Sequence, residues 1–425
     1  MSQIRLSGSS SRLTVAVVLS VVVTAVSQST AEDWSQWRGP SRTGSVEQQK
    51  WPESLDEATL KTSWRVSLGS SYSGPIVGSD RVFVTETRDK QYEVVRALDR
   101  KTGKQVWATE WKGAMTVPFF AAANGSWIRS TPTLDNGELF VAGIRDVLVC
   151  LDADSGEIKW QVDFAQRLKT SLPSFGCVCS PLVDGDHVYV QAGGGFTKLN
   201  RATGDIVWTT LDDGGGMSGG AFSSPVIGEL AGTRQAIVQT RERLVGVDLE
   251  SGKELWSVDI EAFRGMNILT PTIIGDRVFT SSYGGGSFLF EISKTEGGSF
   301  KTQQLWRNKV QGYMSSPVVI DGHIYLHLRN QRFACINVES GKEAWITQPF
   351  GKYWSLIANG DDILALDERG ELLLIRANPE AFELIERRKI SEQPTWAHIG
   401  LSENDIFVRE LDALVLLEWR DVKTN

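Results

Sequence analysis

The sequence is poor in the side chains that redox and metal centres use, with only four cysteines and four histidines among 425 residues. It contains no Cys-x-x-Cys-His motif, which excludes haem attachment of that kind. The histidines are scattered along the chain at His187, His323, His327 and His398. Because a zinc or iron site needs several such ligands brought together, the sequence predicts no metal site.

Blocks of lysine or arginine are also absent. The 44 Lys and Arg residues are outnumbered by 52 Asp and Glu residues, which gives a formal net charge of -8. Binding to a phosphate backbone requires a concentrated positive surface, so the composition argues against a nucleic-acid partner.

The longest uncharged apolar stretch, Leu13 to Val26, is shorter than the roughly 20 residues that a membrane span needs. Arg5 and Arg12 precede it, and the small residues Ser29 to Ala31 follow it. This order is typical of a secretory signal peptide, predicted here at residues 1–31. A retained signal anchor is the alternative. We expect an exported protein, periplasmic or extracellular, with no membrane span after cleavage.

Glycine and tryptophan, in contrast, are abundant, with 41 and 15 copies, and they recur in a fixed pattern. An Asp or Asn lies four residues before a Gly, and a Trp lies four residues after that Gly. The pattern occurs at 97–107, 150–160, 198–208, 246–256 and 335–345, with a degraded copy at 290–306. A period of roughly 40–50 residues without helical periodicity indicates the blades of a β-propeller.

Each period is predicted to form four short strands, because alternating apolar segments are separated by Gly and Asp turns. The outermost strands number seven, whereas the C-terminal stretch 396–419 supplies only three strands. Residues 60–68 have the outermost-strand pattern without a blade of their own, so we expect them to complete the last blade. The predicted fold is all-β, an eight-bladed β-propeller of four-stranded antiparallel blades closed by N- and C-terminal strands. A leader at 32–59, the propeller at 60–420 and a tail at 421–425 follow the signal peptide.

The repeat Asp-x-x-(Ser/Thr)-Gly-x-x-x-Trp resembles that of the pyrroloquinoline quinone (PQQ)-like eight-bladed propellers. This family includes quinoprotein alcohol dehydrogenases and the lipoprotein subunit of the outer-membrane barrel-assembly machinery. The leader Asp33-Trp-Ser-Gln-Trp-Arg-Gly-Pro40 is similar to the mature N-terminus of secreted PQQ-like repeat proteins. In this resemblance the repeated Trp is a structural device that packs between blades. The predicted docking residues are Trp64, Trp107, Trp160, Trp208, Trp256, Trp306 and Trp345.

The resemblance leaves two functions open. A quinoprotein dehydrogenase oxidising an alcohol or sugar would bind PQQ with Ca²⁺, held by several carboxylate and carbonyl oxygens. The adjacent Cys-Cys pair of such enzymes is replaced here by Cys177-Val-Cys179, which could form only a strained disulfide or none. We therefore expect no cofactor and no catalytic residues, and interpret the protein as a non-catalytic binding scaffold. The dehydrogenase is the alternative.

Long links between blades, at 112–127, 165–174 and 209–221, predict that one face of the ring carries the binding site. The partner is predicted to be a protein or a glycan, and the chain a monomer. The link 112–127 is apolar and is predicted either to fold over the channel mouth, to form a contact patch, or to pack on blade two. Residues next to the innermost strands are predicted to line the channel mouth: Ser73, Arg129, Cys179, Ser223, Asn267, Tyr313, Trp354 and Trp396.

Overall fold

The computed structural model describes residues 34–47, 50–213, 216 and 219–420, together with Met1. The predicted signal peptide, apart from Met1, and the predicted tail lie outside these residues. Within the described part of the chain, no helix has both the length and the apolar character to cross a membrane.

The described residues form eight sheets in which four strands follow one another in an antiparallel order. Numbering from the innermost strand outward, blade 1 is Ile76–Val77, Arg81–Arg88, Tyr92–Asp99 and Gln105–Lys112; blade 2 is Thr133–Asp135, Glu138–Gly143, Val147–Asp152 and Ile158–Asp163; blade 3 is Leu182–Asp184, His187–Gln191, Phe196–Asn200 and Ile206–Thr210; blade 4 is Val226–Leu230, Thr233–Gln239, Arg243–Asp248 and Glu254–Asp259. Blade 5 is Thr272–Ile274, Arg277–Ser282, Gly286–Lys294 and Phe300–Asn308; blade 6 is Val318–Ile320, His323–His327, Phe333–Asn337 and Glu343–Ile346; blade 7 is Trp354–Asn359, Asp362–Asp367, Glu371–Arg376 and Glu383–Lys389.

The last blade is closed by a strand from the other end of the chain. Blade 8 consists of Gly400–Ser402, Asp405–Glu410, Ala413–Trp419 and, outermost, Leu60–Ser67. The strand Leu60–Ser67 pairs antiparallel with Ala413–Trp419. Pairing of the two ends removes the open sheet edge that an unclosed ring would leave. The predicted eight-bladed fold and its closure are thus confirmed.

Helical structure in the described residues is confined to the links between blades. A 3-10 helix, Phe119–Asn124, follows blade 1, the α-helix Phe164–Leu168 follows blade 2, and a second 3-10 helix, Phe263–Gly265, follows blade 4.

Five of the seven repeated tryptophans contact the next blade in two ways, through a glycine of its turn and through a hydrogen bond. The Trp160 ring of blade 2 packs on Gly204 of blade 3, where a Cβ atom would come within 2.7 Å of the ring. Gly204 also has φ +74°, which favours glycine. The Trp160 indole N–H donates to the Arg201 carbonyl in the same turn, at 2.8 Å. The turn itself is braced by Asn200, whose side chain accepts from the Thr203 backbone N–H.

Five further tryptophans repeat the hydrogen bond to the next blade. Their indole nitrogens and those of Trp160 lie between 2.7 and 3.1 Å from the accepting carbonyls. These residues are Trp64, Trp107, Trp208, Trp306 and Trp345. Trp256 differs, because its indole N–H donates to Gln235 Oε1 of its own blade at 2.6 Å. Blade 5 replaces the tight turn by a longer hairpin, so the usual acceptor is absent from that position.

Residues 34–46 of the leader fill the centre of the ring, a position that the sequence pattern does not predict. The Trp34 carbonyl accepts from Val77 of blade 1, and the Ser35 carbonyl accepts from Leu134 of blade 2. Further along, Ser45–Val46 pairs in parallel with the innermost strand of blade 7. The leader is therefore an internal part of the propeller rather than a tail beside it.

Two buried arginines of the leader bind carbonyl groups of the innermost strands. The Arg38 guanidinium donates to the carbonyls of Thr43 and of Pro317 in blade 6. The Arg42 guanidinium donates to the carbonyls of Ser180 and Pro181, which precede the innermost strand of blade 3. Burial lowers the pKa of Arg38 to about 9, so the group remains charged at neutral pH. The carbonyls of the ring thus solvate two positive charges at its centre.

One carboxyl group is buried at the junction of blades 1 and 2. Glu93 is 0 % exposed and accepts from the Ile144 backbone N–H at 2.6 Å and the Trp111 indole at 3.1 Å. Burial raises its pKa to about 8, although both hydrogen bonds favour the charged form. Ionisation of the Glu93 carboxyl group therefore destabilises the folded ring.

We expect Trp160→Ala to lower the free energy of unfolding by about 3 kcal/mol, because it removes an aromatic ring from the blade junction. Val207→Ala, on the exposed side of an outermost strand, is the matched control and should change the free energy by less than about 0.5 kcal/mol. Chemical denaturation measures both. Equal losses in the two variants would show that the docking contact carries no special stability.

We expect Arg38→Ala to lower the free energy of unfolding by about 3 kcal/mol, because buried carbonyl groups lose their donor. The exposed Arg387→Ala removes the same charge without uncovering buried groups and should be near neutral. The comparison uses the same denaturation measurement. A stable Arg38→Ala variant would mean that the leader adds little to the ring.

The contribution of Glu93 to the free energy of unfolding is expected to fall as the pH rises from about 5 to about 8, because the folded chain holds the Glu93 proton more tightly than the unfolded chain does. Below its ordinary pKa of 4.5 the group is protonated in both states, so this contribution is fully present there and is lost as the pH passes the folded value of about 8. The slope from Glu93 alone is at most about 1.4 kcal/mol per pH unit.

Glu93→Gln should remove this part of the pH dependence, whereas the exposed Glu57→Gln should leave it intact. Denaturation at pH values across the window measures the slopes. Parallel curves for Glu93→Gln and the wild type would contradict the assignment.

Candidate functional site

The eight links that lead from one blade to the next meet at one end of the ring, which we call the link face. All innermost strands begin at this end, because every blade is an antiparallel meander that starts at its innermost strand. The link face also carries the three long links and the helices Phe119–Asn124, Phe164–Leu168 and Phe263–Gly265.

Each link contributes an aromatic residue to the link face, and together these residues form what we call the aromatic collar. The collar comprises Tyr72, Trp127, Phe175, Phe222, Phe263, Tyr313, Tyr353 and Trp396. Much of it is continuous. The rings of Tyr72 and Trp396 are stacked with centroids 4.8 Å apart, and Tyr353 meets Trp396 at 4.6 Å.

Tyr283, in the turn between the second and third strands of blade 5, extends the collar. Its ring lies 4.9 Å from Phe263 and 5.7 Å from Tyr313, between centroids. On the other side of the mouth, Phe175 and Phe222 pack edge to face at 5.9 Å. The mouth is thus bordered by amphipathic and apolar rings from several blades.

Three arginines lie over rings of the collar or of Tyr283. The guanidinium carbon of Arg241 lies 5.0 Å from the Phe222 centroid, and that of Arg264 lies 5.2 Å from the Phe263 centroid. Arg329 lies 4.0 Å from the Tyr283 centroid and donates to its hydroxyl at 3.0 Å. Each of these contacts holds a positive charge beside an aromatic surface.

A cavity of about 960 Å³ lies inside the collar on the side of blades 3 to 6. Its apolar wall contains Phe175, Val178, Phe222, Met266, Ile268 and Met314. Arg129, Ala121 of the first 3-10 helix and charged residues of blade 4 stand at its edge. The link 112–127 thus reaches the cavity through Ala121, while Phe119 of the same helix is exposed.

The leader closes the channel behind this cavity. Its partners Pro181, Thr270 and Pro317 lie two or three residues after cavity-lining residues and just before the innermost strands. Trp37 of the leader also lines a smaller cavity of about 60 Å³ beside the first, together with Tyr353 and Trp396. The described residues that line the large cavity belong to links or to the turn 240–243, so the cavity opens at the link face.

Of the eight residues predicted to line the mouth, four line a cavity in the structure and four are buried away from it. Arg129 and Tyr313 line the large cavity, and Trp354 and Trp396 line the small one. The remaining four are buried and face neighbouring segments: Ser73, Cys179, Ser223 and Asn267. That any of the eight binds a partner stays a prediction.

Alternation along an extended chain explains three of the four buried residues, Cys179, Ser223 and Asn267. Val178, Phe222 and Ile268 line the cavity, and each is the sequence neighbour of a predicted residue. Successive side chains of an extended backbone point to opposite sides. The residue next to one that faces the channel therefore points into the core. The aromatic residue in every link is the sequence feature from which the residues facing the mouth could have been predicted.

The residues present do not fit a quinone held by Ca²⁺. In the part of the chain that the structure describes, no three His, Cys, Asp or Glu side chains are grouped so that they could hold a metal ion. The ring centre instead contains the guanidinium groups of Arg38 and Arg42, which disfavour a divalent cation. Cys177 and Cys179 are buried and unpaired, and burial raises the pKa of Cys179 to about 11. The thiol is therefore protonated and unreactive at neutral pH.

Comparison with known proteins agrees with this architecture. Residues 91–347 match the PQQ_2 family model, described as outer membrane protein assembly factor BamB. BamB of Yersinia pestis is 24% identical over 298 residues, which cover 66% of this chain and 69% of that protein.

Two solved structures share the fold. BamB from Moraxella catarrhalis superposes with a TM-score of 0.61 at 15% identity, covering 86% of this chain and 99% of that one. Quinohemoprotein alcohol dehydrogenase from Comamonas testosteroni superposes with a TM-score of 0.58 at 11% identity, covering 91% of this chain and 80% of that one. At these identities the likeness concerns the fold alone. The family match, together with the blade repeat, establishes that this chain belongs to the PQQ_2 family of BamB-like propellers.

Proposed function

We propose that this protein is a non-catalytic scaffold that works in the assembly of outer membrane proteins, with a protein partner docked on the link face. The observation that carries the proposal is the aromatic collar with its arginines on a single face of the ring. Tyr, Trp, Phe, Met and Arg are the residues enriched at protein interfaces, and Trp, Tyr and Arg dominate their binding energy.

The architecture supports a scaffold over an enzyme. The ring is a rigid frame of eight docked blades, and its centre is filled by the leader instead of a cofactor cradle. The names of the BamB relatives supply the process, assembly of outer membrane proteins. Export to the periplasmic side, which this function requires, rests on the predicted signal peptide.

The docking face can be tested by a photo-crosslinking amino acid placed at single positions. We expect adducts with one envelope protein from Phe263, which is 46% exposed on the link face. Val207 and Leu384, exposed on outermost strands, are the matched controls and should give none. Phe263→Ser combined with Tyr353→Ser should weaken the isolated complex at least about tenfold, because hot-spot rings carry most of the binding energy. Adducts confined to the control positions would contradict the proposed face.

The non-catalytic part of the proposal has its own test. The purified protein is mixed with PQQ and Ca²⁺, and quinone absorbance and dye reduction with alcohols or aldose sugars are recorded. We expect neither stoichiometric quinone binding nor turnover. Turnover would show that the protein is a dehydrogenase and not a non-catalytic scaffold.

A further inference from the structure

We propose that the large cavity inside the aromatic collar takes a terminus or protruding loop of the partner protein, with an acidic side chain bound by Arg129 and apolar side chains on the Phe175–Phe222 wall. This inference rests on the proposed function and names the chemistry of the partner at that site.

Among the described arginines that line this cavity, Arg129 is the one with a buried guanidinium nitrogen that lacks a hydrogen-bond partner. Its Nη2 donates to the Gly125 carbonyl at 2.7 Å, while its buried Nε has no hydrogen-bond partner. Among the described residues no carboxylate forms an ion pair with it. Burial lowers the pKa of Arg129, because removing the charged guanidinium group from water is unfavourable. A carboxylate from outside would supply the missing acceptor and charge.

Two of the other arginines that line the cavity already have partners, and the third, Arg264, is exposed, so water solvates its guanidinium group. Arg243 binds Glu254 through two hydrogen bonds of 2.9 and 3.0 Å. Arg241 donates to the carbonyls of Gly219 and Arg264 and lies over Phe222. Arg129 is therefore the position at which a ligand carboxylate gains most.

The apolar part of the cavity lining favours apolar side chains over sugars. Val178, Ile268 and Met314 offer no hydrogen-bonding side chain to a hydroxyl group, and Phe175 and Phe222 extend the same surface. Sugar hydroxyls placed there would lose their water without gaining partners. Met266 and Met314 are flexible and adapt to apolar side chains of different shapes.

Closure of the channel limits the form of the bound segment. At about 960 Å³ the cavity is at the upper end of the roughly 300–1,000 Å³ typical of ligand sites, large enough for several side chains. The leader blocks the way through the ring, so a chain cannot thread it. The segment must enter and leave through the link face, as a chain terminus or the tip of a loop does.

The test uses a phage-displayed library of random twelve-residue peptides selected on the folded full-length protein. We expect enriched peptides to carry Asp or Glu flanked by Leu, Ile, Phe or Met. Labelled synthetic copies should bind at least about tenfold more weakly to Arg129→Gln, and a peptide Glu→Gln change should cost about the same on the wild type. Combining both changes should add little, because they remove the same ion pair.

Arg145→Gln is the matched control, since Arg145 is exposed in a turn of blade 2 and does not line the cavity. It should leave binding within about twofold. Phe222→Ser should weaken binding at least about tenfold, and thermal unfolding verifies that each variant is folded. If Arg129→Gln does not fold, the peptide Glu→Gln change on the wild type still decides the role of the carboxylate.

Three results would overturn the inference: no enrichment, enriched peptides without an acidic residue, or equal binding to wild type and Arg129→Gln. Binding of cello- or chitohexaose with quenching of tryptophan fluorescence, in place of peptides, would assign the cavity to a glycan. If crosslinks from Phe263 still identify a protein partner, only the peptide site fails. If those crosslinks are absent as well, the proposed function fails with it.

Discussion

The contact between an outermost tryptophan and the turn of the next blade, made by six of the seven repeated tryptophans, is the interaction on which the ring depends. A four-stranded blade cannot bury both of its faces alone, so its stability comes from its neighbours. The indole ring covers a glycine whose missing Cβ makes room for it, and the indole N–H satisfies a carbonyl of the same turn. Apolar clusters that include residues of two adjacent blades continue this junction into the core.

A ring of eight blades leaves a hole, and the leader fills it. Charged side chains can serve there because the innermost strands present carbonyl groups that guanidinium donors can reach. Filling the centre places the guanidinium groups of Arg38 and Arg42 next to the innermost strands, close in the chain to the residues that line the large cavity.

The candidate binding face follows from the chain path. Each link has to carry the chain from the outside of one blade to the inside of the next, and it crosses the same end of the ring every time. An aromatic residue in each link therefore arrives at a common border, although the residues are far apart in sequence. Arg129 lines the cavity inside this border, and its buried Nε has no hydrogen-bond partner among the described residues.

The sequence by itself determined the all-β class, the eight blades, the closing strand and the position of the blade-docking tryptophans, because these depend on local turns and a repeated spacing. The tertiary structure decided three things that no local pattern contains. It placed the leader in the channel through hydrogen bonds to six blades. It turned Val178 and Phe222, rather than Cys179 and Ser223, toward the cavity. It also brought the collar together around Arg129. These features depend on which side of an extended chain faces inward and on contacts between distant segments, and both are set only when the ring closes.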